Sequence, residues 1–185
     1  TGEAEFEDKV IHCYNNKAHG TVDMHEAMAE SCNCYFAEIG KRIGGENLRK
    51  VADRLMVNSS LGFELPSSQS SVVIDKNSSE SELVETAIGQ GKTVVTPIYM
   101  ASLVSSVANG GIMKKPYIVD HIEYPNEKTS ETIIPETIGE IMTYDEAKKL
   151  NDMMISVVNE GTGTAAALKG YQAAGKTGTA ENESG

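Results

Sequence analysis

Apolar residues recur at helical spacing along much of the chain. Asp23 and Glu26 have the spacing of a capping box, and Met24 to Glu30 reads as an amphipathic helix behind it. A second helix starts near Ser31, carries Phe36, Ile39 and Ile43 at helical spacing, and stops at Gly44-Gly45. Leu48, Val51, Ala52 and Leu55 mark a third. Asn58 to Ser81 is rich in Ser and predicts a long surface loop, with one short strand candidate at Val72 to Ile74. Thr96-Pro97 supplies an N-cap and a Pro at the first helical position, so a helix is predicted over 98–108, ended by Asn109-Gly110-Gly111. Tyr117 to Tyr124 alternates and carries Ile and Val, which predicts a strand. Pro125 to Lys128 is a turn, and Thr129 to Ile134 returns as the hairpin partner. Thr143 and Glu146 form another capping box, opening a long helix through Leu150, Met154 and Val158 to a stop at Gly161. Tyr171 to Ala174 then leads into an extended segment at Lys176-Thr177-Gly178-Thr179. The pattern is α+β, mostly helical, without an internal repeat.

At 185 residues the chain fits one domain with a real core, and 39% hydrophobic residues is a globular composition. Zero Trp and 5% aromatics predict a core built from aliphatic residues, Ala and Met. Sixteen Lys and Arg against 27 Asp and Glu give a net charge of -11. That argues against nucleic acid or anionic lipid as nonspecific partners, since both want a basic face. No apolar run approaches the roughly 20 residues that span a bilayer, and no signal peptide is visible.

Cys13, Cys32 and Cys34 do not make a disulfide framework, and a Cys-x-Cys pair with no companion His cluster is a poor zinc site. Three free, buried or half-buried thiols are expected. His12, His19, His25 and His121 lack metal spacing, and His19-Gly20 is read as a turn. Glu80, Glu82 and Glu85 read as a solvated acidic face. Gly89-Gln90-Gly91 lacks the Gly-Lys-Ser/Thr ending of a phosphate loop, and Gly161-Thr162-Gly163 reads as a helix stop.

The candidate chemistry lies in two motifs far apart, Ser31-Cys32-Asn33 and Lys176-Thr177-Gly178-Thr179. Alone, each residue has an ordinary reading. Ser31 suits an N-cap, Asn33 a local turn, and Lys176 a solvated surface. Together, Ser-x-Asn and Lys-Thr-Gly resemble two of the three motifs of the penicillin-recognising serine acyl-transferases. The third, a Ser-x-x-Lys box with the nucleophile, occurs nowhere from Thr1 to Gly185.

Further blocks resemble class B penicillin-binding proteins in the same order. They are His19-Gly20, Glu26-Ala27, Tyr35-Phe36, Ala87 to Gly91 with Thr96-Pro97, Ala108 to Gly111 with Lys115-Pro116, Val157-Val158, and Gly161 to Gly163. The resemblance implies the helical lobe of the β-lactamase/transpeptidase-like fold with a small sheet remnant. Residues 1–185 would then be a partial transpeptidase domain, lacking the Ser-x-x-Lys segment and the last strands. Its single strand of the central sheet would expose a backbone edge prone to self-association.

The implied activity is that of a peptidoglycan D,D-transpeptidase, which cross-links stem peptides through a serine acyl-enzyme and binds penicillin and other β-lactams. The isolated chain would be inactive, with no nucleophile of its own. By the same resemblance Ser31 passes a proton toward the departing amine, Asn33 holds the peptide-like group, and Lys176 meets a carboxylate and acidifies the Ser31 hydroxyl. Thr177 and Thr179 offer hydroxyls to that carboxylate, and the Thr179 N–H is an oxyanion donor. Gly178 keeps the strand edge bare for substrate. No cofactor and no metal is implied, and the parent protein would be anchored on the outer face of a bacterial cytoplasmic membrane. The rival readings are a β-lactam-binding sensor and a catalytically dead relative used for protein interaction. Gly-Gln-Gly followed by Thr-Pro resembles the transpeptidases rather than a sensor.

Overall fold

The computed structural model describes residues 2–7, 9–125 and 130–179. It opens with an antiparallel hairpin of β1 (Glu3–Phe6) and β2 (Lys9–His12), Glu3 opposite His12. Only Phe6 and Ile11 are buried there, too few inward positions for an alternating signal, which is why the pattern did not predict it.

Capping chemistry sets the helices as expected. α1 (Met24–Ala29) begins where Asp23 accepts from the Glu26 N–H at 2.9 Å while Glu26 accepts from the Asp23 N–H at 3.0 Å. α2 (Asn33–Arg54) is two helical runs joined across a kink at Gly44, where φ 75° and ψ 162° leave the helical region, so the stop predicted at Gly44-Gly45 and the helix predicted after it are both present. α3 (Glu80–Ala87) was not foreseen. Its first glutamates, read only as a solvated face, are its capping turn: Ser79 and Glu82 bond reciprocally, and Val84 is fully buried. α4 (Pro97–Ala108) is capped by the Thr96 hydroxyl and ends at Gly110 and Gly111, both at positive φ. α5 (Tyr144–Asn159) starts at the Thr143 capping box.

The remaining sheet is small. β3 (Ile112–Lys114) pairs with β6 (Thr137–Glu140), and β4 (His121–Glu123) with β5 (Ser130–Thr132), all antiparallel. The hairpin predicted over 117–134 is therefore real but shorter, and Ile118, at 59% exposure, has no layer above it. Its predicted turn lies largely outside the described residues, which stop at Pro125 and resume at Ser130. The strand candidate at Val72 to Ile74 shrinks to a single bridge between Ser71 and Val94. The Lys176 to Thr179 segment pairs with no strand among the described residues.

The main core joins α4, α5, β3 and β6 through Val107, Met113, Ile141 and Met154, with Tyr99 its one aromatic ring. Full burial of a side chain such as Met113 or Ile141 contributes about 1.5–3 kcal/mol. A second cluster of Phe6, Ile11, Ala37 and Val84 seats the hairpin on α2 and α3. No helix among the described residues is long and apolar enough to cross a membrane.

Candidate active site

The chain turns between α1 and α2 by a helix-ending motif that normally wants glycine. The Cys32 N–H donates to Ala27 O at 2.9 Å and the Ser31 N–H to Met28 O at 3.2 Å. That pair of bonds puts Ser31 at the left-handed position, with φ 53°. A side chain there costs about 1 kcal/mol or more relative to Gly, and such residues cluster at functional sites. Ser31 is not a helix cap: the N-cap of α2 is Cys32, with no side-chain cap bond.

The Ser31 hydroxyl instead meets the other motif. Lys176 Nζ donates to Ser31 Oγ at 2.8 Å and to its neighbour's carbonyl, Thr177 O, at 2.9 Å. Lys176 is exposed as a residue, yet partial burial of its ammonium holds its pKa below the ordinary lysine value. The 176–179 segment is steadied from α5, where the Gly175 N–H donates to Met154 O at 3.1 Å. A Cβ on Gly178 would have nothing within 4 Å, so that face of the segment is open.

Asn33 Nδ2 donates to His12 O at 2.9 Å, fastening the first turn of α2 to the end of β2. That bond uses one of the amide's two N–H donors. Two residues missed by the sequence reading touch the Lys-Thr-Gly segment. Thr162 Oγ1 lies 2.7 Å from Thr177 Oγ1, and Gln90 Nε2 lies 3.5 Å from Thr179 O. In sequence Gly161-Thr162-Gly163 reads as a helix stop and Gly89-Gln90-Gly91 as no phosphate loop; both triplets belong to the blocks that carry the family resemblance, which was the available signal.

Behind Ser31 lies a second cluster that spacing also concealed. The three cysteines are free. Cys13 Sγ is 3.8 Å from Cys32 Sγ and 3.6 Å from Cys34 Sγ. One ring nitrogen of His19 joins the Cys13 and Cys32 sulfurs, all three within 4.8 Å of one another. The His19 side chain is 6% exposed, and its Nδ1 is buried without a hydrogen-bond partner. Expecting no metal site rested on the lack of a companion histidine, and the turn at Tyr14–Asn16 folds one in. Two thiols and an imidazole could hold a soft divalent ion with one position open. Burial raises the Cys32 pKa and pushes that of Cys34 up to about 12.

The sequence model of the penicillin binding protein transpeptidase domain matches residues 2–184. This chain belongs to the class B penicillin-binding protein transpeptidase family. Stage V sporulation protein D of Bacillus subtilis is 32% identical over 182 residues, 97% of this chain and 28% of that protein. Peptidoglycan D,D-transpeptidase PbpA of Mycolicibacterium smegmatis is 30% identical over 165 residues, 88% of this chain and 33% of that protein.

Among solved structures, the D,D-transpeptidase domain of a peptidoglycan glycosyltransferase from Eggerthella lenta superposes with a TM-score of 0.89 at 28% identity, covering 100% of this chain and 48% of that one. The imipenem acyl-enzyme complex of penicillin-binding protein A from M. tuberculosis superposes with a TM-score of 0.84 at 29% identity, covering 95% of this chain and 41% of that one. Both structures thus share the fold over nearly all of this chain. The chain spans 28% and 33% of the length of the two curated relatives.

Proposed function

We propose that this chain forms the proton-relay and carboxylate-binding half of a serine acyl-transfer site, in a D,D-transpeptidase that cross-links peptidoglycan stem peptides and is acylated by penicillin. The observation that carries this reading is the 2.8 Å bond between Lys176 Nζ and Ser31 Oγ, which joins residues 145 positions apart. A serine hydroxyl accepting from an ammonium has its own proton free to pass on. Ser31 is thereby suited to deliver a proton to a departing amine and to take one back from Lys176, whose 2.8 Å contact is within the 2.6–3.2 Å reach of proton transfer. Lys176 supplies positive charge to the substrate carboxylate, and the Thr177 and Thr179 hydroxyls bind it. The Thr179 N–H serves as an oxyanion donor, Asn33 holds the peptide-like group with its remaining amide atoms, and the bare face at Gly178 admits substrate. The attacking serine and its lysine come from a Ser-x-x-Lys segment that residues 1–185 do not contain, which makes this chain part of a transpeptidase domain. The whole protein acts on the outer face of the cytoplasmic membrane, where stem peptides are. The segment 176–179, which pairs with no strand among the described residues, is a place for a second copy to add, read as concentration-dependent sedimentation.

Incubation with a fluorescent penicillin followed by denaturing electrophoresis tests the reading. The intact protein should give a labelled band and residues 1–185 alone should give none. An intact protein that stays dark, or a band on the isolated chain that survives denaturation, overturns it.

A further inference from the structure

We infer that Thr162 is a positioning residue that sets the proton of the Thr177 hydroxyl and fixes the two motif segments to each other. This rests on the reading of Thr177 as a carboxylate ligand. Thr162 touches both halves of the site. Its backbone N–H donates to Ala29 O at 3.0 Å, two residues before Ser31, and its Oγ1 lies 2.7 Å from Thr177 Oγ1, next to Lys176. The loop around it is held by α5: the Gly161 N–H donates to Ser156 O at 3.1 Å and the Gly163 N–H to Val157 O at 2.9 Å. Gly161 is demanded by this approach, because a Cβ there would lie 2.2 Å from Ala29 O. A further tie between α1 and α5, from His25 Nε2 to Ser156 Oγ, keeps the two helices in register beside it.

The chemistry follows from counting protons. A threonine hydroxyl has one proton and two acceptor sites. Thr177 serves an incoming carboxylate only as a donor, so its oxygen must accept from elsewhere to be held in that orientation. Thr162 Oγ1 is the group at hydrogen-bond distance that supplies this proton. The result is a chain from the Thr162 hydroxyl to the Thr177 hydroxyl to the carboxylate. Two aligned hydroxyls polarise each other, which strengthens the outer bond to the anion. With Thr162 gone, the Thr177 hydroxyl turns freely and donates elsewhere part of the time.

The test compares benzylpenicillin with its methyl ester on the intact protein, each as a competitor of a fluorescent penicillin. Thr162→Val keeps the shape and loses the hydroxyl. It should slow acylation by the free acid about tenfold, the size of one lost hydrogen bond to a charged group. Acylation by the ester should change by less than about twofold on the same ground, because no carboxylate is present to lose it. Thr162→Ser should restore the free-acid rate. If Thr162→Val slows acid and ester alike, Thr162 is a structural support only; if it slows neither, the hydroxyl chain has no role, and either result overturns the inference. A wild-type protein that penicillin does not acylate refutes the functional reading instead. The link is then judged from the amide resonances of Thr177 and Gly178, which must move in Thr162→Val and return in Thr162→Ser; unmoved resonances overturn it.

Discussion

Replacing Gly161 by Ala is the sharpest probe of how the fold joins its two motif segments. The new Cβ would fall 2.2 Å from Ala29 O, 2.7 Å from Ala29 C and 3.0 Å from Ala29 Cα, all backbone atoms. Ordinary carbon–oxygen contact is about 3.3 Å, so the loop must retreat by about 1 Å. That movement stretches the 3.0 Å bond from the Thr162 N–H to Ala29 O beyond a useful length. Overpacking of this kind costs about 1–3 kcal/mol and the lost bond about 1 kcal/mol, against a gain of about 0.4–1 kcal/mol from a less flexible unfolded chain. The net is a loss of about 1–3.6 kcal/mol, or a fall in Tm of roughly 2–14 °C for a domain of this size. Gly178→Ala is the control, because nothing lies within 4 Å of its added Cβ. It should stay within about 0.5 kcal/mol of wild type while slowing acylation of the intact protein. Urea unfolding followed by circular dichroism measures both variants. A Gly161→Ala protein as stable as wild type, or a Gly178→Ala protein equally destabilised, would refute the reasoning.

Glu146 has its carboxyl pulled down to about 2, first by the Thr143 backbone N–H and then by Arg54. A lowered acid stabilises the fold above its unfolded value and loses that contribution as pH falls from 4.5 toward about 2. Glu146→Gln should therefore weaken the fold at neutral pH and flatten its stability curve across that acid window, and an unchanged slope counts against the cap. Met113 is 0% exposed in the main core, so Met113→Ala should cost about 2–5 kcal/mol in the same urea assay, and a loss below 1 kcal/mol would show a looser core. Co2+ added to the reduced protein should give thiolate absorption that His19→Ala weakens. Lower pH should suppress it, since thiols release protons when they bind a metal, and a silent spectrum would show that this cluster takes no metal.

What the sequence disclosed followed from how local each signal is. α1, α4 and α5 were legible because Asp23, Thr96 and Thr143 state their own starts within four residues. α3 was hidden by the same glutamates that cap it, since charge on three of its eight positions looks like exposure before Val84 is seen to be buried. β1, β2, β3 and β6, three or four residues each, have too few positions to display a period of two. The meeting of Ser31 with Lys176 was foreseen only because the two motifs travel together, and nothing in their spacing encodes a distance. Gly161 to Gly163 belongs to the same ordered blocks, but nothing in it encodes the Thr162–Thr177 contact, and the Cys13–His19–Cys32 cluster has no companion pattern at all, so only the folded chain shows either.

Ser31 and Lys176 should act as one unit, and a double-mutant cycle on penicillin acylation of the intact protein measures that. Ser31→Ala and Lys176→Met should each slow acylation by about 10²-fold or more, the range of a positioned proton-transfer group. If the 2.8 Å bond is the working contact, the double variant should be little slower than the worse single variant. Multiplied single effects in the double variant, or singles that acylate at the wild-type rate, would contradict the site as assigned.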